Sequence, residues 1–310
     1  MVTALRAFAR RHRFVVAIGG AGLTIAALVY ALSGRREEFA TALSSASGWI
    51  LAATAALQTI ALLSRSEAWH VTIEAAGGRI ERRVLFRASS MQGLGSLLNG
   101  QLGVAARIVT LRRSGCEDCP RVPTLIAAEV PILAVEATLA AAASFTLIGP
   151  LGLPWWSPLI AVAVIVAGGA GLRRLALCRG RELWRGLAVI RSGRGGSRVI
   201  GWVLVAVCCQ IFRNWMLLHA VGVDASFFDA IAVLIAVVTL GQLPVGPAVG
   251  AAAAVLILGG DGVAATAAAG VLMTATGLAG ALVFMVWAGA DRLWARLRPS
   301  PQPASAGVSS

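Results

Sequence analysis

The sequence predicts an all-α integral membrane protein with about six full transmembrane helices and two re-entrant, broken hairpins, arranged as an inverted repeat. Three observations predict it. The 310 residues are 58% hydrophobic and 13% charged, with mean hydropathy +0.80, whereas a soluble domain carries about 25% charged residues. The apolar residues form long runs separated by basic loops. Two of those runs are interrupted by Gly and Pro at corresponding places.

The apolar segments are Phe14–Leu32, Leu43–Ser64, Ala88–Leu111, Pro123–Ile148, Leu159–Leu172, Val199–Val221, Asp229–Leu258 and Val263–Ala288. A bilayer span needs about 20 apolar residues. The first run follows Arg6, Arg10, Arg11 and Arg13 and is too long for a signal-peptide core, so it reads as a retained span. Residues 1–298 form a single polytopic membrane domain, and the Pro-, Ser- and Ala-rich stretch 299–310 reads as a disordered cytoplasmic tail.

Charge sets the topology. The net charge of +13 comes from 27 Arg, with no Lys. The loop from Arg65 to Arg87 carries five Arg against three Glu, and the loop from Arg173 to Arg198 carries eight Arg against one Glu. Together with the N-terminal arginines and Arg292, Arg296 and Arg298, these belong on the cytoplasmic side. This is the pattern of a protein of the inner (cytoplasmic) membrane with both termini cytoplasmic. The same placement explains the basic charge without nucleic acid, which is excluded as a partner. If Ala88–Leu111 crossed fully, the eight-Arg loop would lie outside. The rule is satisfied when that segment enters and leaves from the cytoplasm and Asp229–Leu258 does so from the other side. Gly93, Gly95, Asn99, Gly100, Gln101 and Gly103 break the first segment. Gly241, Gln242, Pro244, Gly246, Pro247 and Gly250 break the second.

The two breaks are related. Gly100-Gln101-Leu102-Gly103-Val104 corresponds to Gly241-Gln242-Leu243-Pro244-Val245 at an offset of 241 − 100 = 141 residues. The same offset brings Pro123–Ile148 close to Val263–Ala288. Residues of about 10–150 and 151–294 therefore read as two halves, each made of span, span, hairpin, span. Three crossings per half invert the second half, and inverted repeats with matched broken segments place a binding site where the breaks meet.

Charged residues at membrane depth mark function or buried pairs. Here they are Arg107, Glu129, Glu136 and Arg213. Glu129 and Glu136, seven apart, share a helix face. Glu136 and Arg213 are expected at similar depth and in contact. Arg107 either pairs with Glu129 or faces a wet cavity that accepts an anion, and the second role is the expected one. The expected substrate-binding set is Asn99, Gln101, Gly103, Arg107, Glu129, Glu136, Arg213, Gln242, Pro244 and Gly246. Gln58, Gln210 and Asn214 read as interhelical polar contacts.

No nucleophile–base arrangement, zinc-protease motif, phosphate-binding loop or dinucleotide turn is present in the sequence. The single C-x-x-C, Cys116 to Cys119, supplies two of the four ligands a structural zinc requires. No catalytic role, cofactor or metal is expected.

The stretch Leu97-Leu98-Asn99-Gly100-Gln101-Leu102-Gly103-Val104-Ala105-Ala106-Arg107 resembles a motif of the flippase-like membrane family. That family includes the transmembrane region of lysylphosphatidylglycerol synthase, the multiple peptide resistance factor. Gly103 and Arg107 match the motif, while the family's Pro, Arg and Glu fall on Asn99, Gln101 and Val104. Leu243-Pro244-Val245-Gly246-Pro247-Ala248-Val249-Gly250 resembles the family's second hairpin, without its following Glu. Such a divergent member implies translocation of a lipid or glycolipid, with its anionic headgroup bound between the hairpins. The alternative is a non-transporting scaffold for an enzyme of lipid or cell-envelope assembly. The synthase's soluble aminoacyl-transfer domain has no counterpart in this sequence, so lipid aminoacylation is not expected.

Overall fold

The computed structural model describes residues 22, 26, 29, 30, 32–96, 100–114, 119–178, 186–241 and 249–297. Its ordered elements are helices: α1 (Arg36–Ser45), α2 (Gly48–Ala75), α3 (Arg82–Ser96), α4 (Gly100–Arg113), α5 (Val122–Ala142), α6 (Ser157–Cys178), α7 (Gly193–Ala220), α8 (Phe227–Leu240), α9 (Val249–Leu258) and α10 (Val263–Leu297), with short helical turns between some of them. The described residues contain no strand. The fold is all-α. Among the described residues, four helices are long and apolar enough to cross a bilayer: α2, α5, α7 and the stretch 263–290 of α10.

Local chemistry sets the helix ends. Ser47 accepts a hydrogen bond from the Ile50 amide and opens α2. Ser226 and Asp229 form a reciprocal capping box that opens α8, each accepting from the other's backbone N–H. Gly77 and Gly222, with φ of 87° and 82°, take the left-handed conformation just beyond α2 and α7.

The centre is formed by α2, α7 and α10, with α2 and α7 packed on one another more extensively than any other pair. The α3–α4 pair lies against α2 and α10, and the α8–α9 pair against α7 and α10. On the periphery, α6 packs on α5 and leaves Leu159, Val164 and Val166 between 63% and 66% exposed. A helix with apolar side chains turned outward all round requires an apolar surrounding.

The first broken segment is a true hairpin. A Cβ on Gly103 would lie 2.8 Å from the Gln92 carbonyl oxygen, and one on Gly95 would lie 2.9 Å from the Gly103 Cα. In a continuous helix, residues eleven and eight apart would be separated by about 16 and 12 Å, so the chain has turned back on itself. The second broken segment is also split: α8 and α9 pack together and share one core with α10, through Val233, Ala236, Ala253 and Ile257 among others.

The helices recur in order. The long helix, hairpin and long helix from α2 to α5 are followed by the same sequence from α7 to α10. Start-to-start offsets are 193 − 48 = 145, 227 − 82 = 145, 249 − 100 = 149 and 263 − 122 = 141 residues.

The structure corrects the first basic loop. Helix was expected to stop near Ser64, but α2 continues to Ala75 and buries Trp69, His70 and Ile73. Its 28 residues span about 42 Å, more than the roughly 30 Å hydrocarbon layer. The final turns therefore stay helical by packing on protein, and their charges find partners there. Arg65 pairs with Glu136 and Glu67 with Arg82. The segment Phe14–Leu32 lies almost wholly outside the described residues.

Candidate functional site

Two polar centres lie within the bundle. The first joins α2, α4 and α5. Arg107 is 1% exposed and ion-paired with Glu129, which is also buried. The Arg107 guanidinium carbon sits 3.6 Å from the centre of the Trp69 ring, a cation–π contact. Trp69 is fully buried beneath this arginine. One turn of chain away, Arg65 Nη2 donates to Glu136 Oε2 at 3.0 Å.

Arg107 takes the structural pair with Glu129 and does not line the space between the hairpins. The expected Glu136–Arg213 contact is also corrected, because Glu136 is held by Arg65. Arg65 was missed as a partner because the basic run containing it read as a loop. A helix continued past Ser64 would have placed it on the bundle's inner surface.

The second centre is a cavity of about 230 Å³, bounded by α2, α3, α7, α8 and α10. It lies between the two hairpins. Arg213 of α7 is its cation. Its Nη1 donates to Gln58 Oε1 of α2, and its Nη2 donates to the Met273 carbonyl of α10 at 3.0 Å. The Nε is buried and has no partner. A guanidinium carries five N–H donors, so three remain beyond these two bonds. No carboxylate among the described residues pairs with Arg213. The undescribed connections 97–99 and 242–248 contain no acidic residue either.

Gly277 lies beside the arginine: a Cβ there would stand 3.7 Å from Nη1, an ordinary van der Waals contact. Across the cavity, Gly93 and Ser96 come from the last turn of α3, and Val237 and Val238 from near the end of α8. Residues near the C-terminal ends of the first hairpin helices therefore line the cavity. Carbonyl ends carry partial negative charge and favour the guanidinium.

Of the expected site residues, the structure brings Arg213 to the cavity and leaves Arg107, Glu129 and Glu136 in the other centre. Gly103 is the crossing point of the α3–α4 hairpin, where Gln92 and Ser96 leave no space for a side chain. Asn99, Gln242, Pro244 and Gly246 lie outside the described residues, and of Gln101 only the backbone is described. Gln58, Gln210 and Asn214, read as interhelical contacts, all border the cavity. Ser96 and Thr274 border it too and gave no signal, since a hydroxyl in an apolar helix usually satisfies itself on the backbone one turn back. Both do so, Ser96 on Gly93 and Thr274 on Gly270.

No protein-family model matches the chain, and no curated protein matches it.

Proposed function

We propose that this membrane protein translocates an anionic phospholipid or glycolipid across the cytoplasmic membrane, with the headgroup received in the cavity around Arg213 and the tails left in the bilayer. One observation carries the reading. A charged guanidinium stands in a cavity between the two hairpins, with donors unused and no carboxylate of the described residues beside it. Such a charge is costly at membrane depth, and a planar fork of donors matches phosphate oxygens. The likeness of residues 97–107 and 243–250 to the flippase-like family points the same way. Repeated broken segments supply the parts that alternating access requires.

The test is reconstitution into liposomes with tail-labelled lipids, following loss of headgroup accessibility. Faster exchange than in protein-free vesicles, abolished by Arg213→Gln, supports translocation. Wild-type protein that accelerates no anionic lipid rejects it. The second reading, a membrane scaffold for an enzyme of lipid or envelope assembly, is favoured by α6, whose outward apolar side chains could seat another membrane helix. A scaffold would tolerate Arg213→Gln with its assembly role intact.

A further inference from the structure

Gln58, Gln210 and Asn214 are amides set in apolar helices. There each must find a hydrogen-bond partner or stand on a wet surface. Gln58 finds one, its side-chain oxygen accepting from Arg213 Nη1. Gln210 and Asn214 do not: neither takes part in a hydrogen bond among the described residues, and both line the cavity. Asn214 is 2% exposed, so its amide has the cavity wall as its one open side. Gln210, Arg213 and Asn214 share one face of α7, since residues three and four apart on a helix are neighbours. The two amides therefore stand beside the guanidinium to which the headgroup is assigned.

What suits them follows from their atoms. An amide offers two N–H donors and a carbonyl acceptor. A phosphodiester only accepts, so it satisfies the N–H groups and leaves the carbonyls. An ammonium only donates, so it does the reverse, and a trimethylammonium does neither. A hydroxyl both donates and accepts. Water does so too, and a group that displaces water without reproducing its bonds loses affinity.

We infer that the cavity takes a phosphodiester lipid whose headgroup carries hydroxyls beside the phosphate, on a glycerol or a sugar-like ring, and that Gln210 and Asn214 select it through those hydroxyls. The inference rests on the translocation reading above and names its substrate class. Arg213 holds the phosphate. The amide carbonyls accept from the headgroup O–H groups, and the amide N–H groups donate to their oxygens. Arg213 thus serves any phosphodiester, whereas the amides distinguish one headgroup from another.

The experiment uses the full chain in liposomes carrying a trace of one acyl-labelled lipid: phosphatidylglycerol, phosphatidylinositol, phosphatidylpropanol or phosphatidylethanolamine. Phosphatidylpropanol has the charge and nearly the size of phosphatidylglycerol but lacks its headgroup hydroxyls. Each net hydrogen bond is worth about two- to twelvefold, so two of them should make wild-type protein move a hydroxylated lipid at least about fivefold faster than phosphatidylpropanol. Whether phosphatidylglycerol or phosphatidylinositol leads tells a glycerol from a ring, and either supports the inference. Asn214→Leu, which nearly keeps the volume, should bring the leading lipid down to the phosphatidylpropanol rate and leave phosphatidylpropanol itself unchanged, each within about twofold. The phosphatidylpropanol rate thereby reports whether the variant is folded. Gln210→Met is the second variant, with the same expectation, and the wild-type preference needs no variant at all. A wild-type preference below about fivefold overturns the inference and leaves translocation standing. So does phosphatidylethanolamine moving as fast as the leading hydroxylated lipid. A preference that survives in both variants overturns the roles of Gln210 and Asn214. Uptake of radiolabelled glycerol phosphate with no lipid movement overturns the lipid assignment. No acceleration of any lipid by wild-type protein overturns translocation and the inference with it.

Discussion

Glu129 and Gly270 occupy corresponding positions in the two halves of the chain, 270 − 129 = 141 residues apart, and they close the same helix junction by opposite means. Glu129, on α5, reaches α4 through an ion pair with the buried Arg107. Gly270, on α10, lets α9 approach until backbone meets backbone, against Gly250 and Ala251. One junction is spanned by long charged side chains and the other by having none. The first depends on both charges being present, and the second on the absence of a Cβ.

Removing one partner of the Arg107–Glu129 pair leaves the other buried and uncompensated. Glu129→Gln or Arg107→Gln should lower stability by about 3–5 kcal/mol, and the double replacement Arg107→Met with Glu129→Leu should recover most of it. Thermal unfolding in a fixed detergent, run as a double-mutant cycle, measures the coupling. Independent, additive losses would refute the pairing.

The Arg65–Glu136 pair is more open, with side chains 30% and 21% exposed. Glu136→Gln should therefore cost no more than about 1 kcal/mol. The same unfolding assay should rank it well below Glu129→Gln.

Gly270→Ala places a methyl group on the backbone of Ala251, which cannot move aside as a side-chain tip can. The expected loss is about 1–3 kcal/mol. Gly168→Ala, on α6, meets nothing within 4 Å and should change stability by less than about 0.5 kcal/mol. Equal effects at the two positions would contradict the tight α9–α10 contact.

The re-entrant arrangement assigns sides. Cysteines introduced for the exposed Arg113 and Arg194 should react from the cytoplasmic face, and one introduced for Asp224 from the opposite face. Labelling of position 113 from the outer face by a membrane-impermeant thiol reagent would require α3 and α4 to be part of a full crossing.

Anionic lipid should stabilise the wild-type protein by about 2.7 kcal/mol at a hundredfold excess over Kd. Arg213→Gln should remove that gain, while Arg107→Gln, though less stable, should keep it. Titrating lipid into each purified variant and following the unfolding temperature separates them. Loss of the gain in the arginine 107 variant alone would move the site to the first centre.

The sequence by itself determined the class, the break points and the internal repeat. Those follow from local properties. Apolar run length sets the solvent, Gly and Pro set where helix fails, and a repeated pattern is visible without coordinates. It also narrowed Arg107 to two roles, because a buried charge must find a partner or a wet surface. Which role it takes depended on how close α4 comes to α5, a distance between segments that no local pattern encodes. The same holds for Glu136. Depth along a helix put it level with Arg213, but the rotation of α5 and the unexpected continuation of α2 gave it Arg65 instead. Only the tertiary structure set Arg213 apart, since a charge is unpaired only by reference to every helix around it.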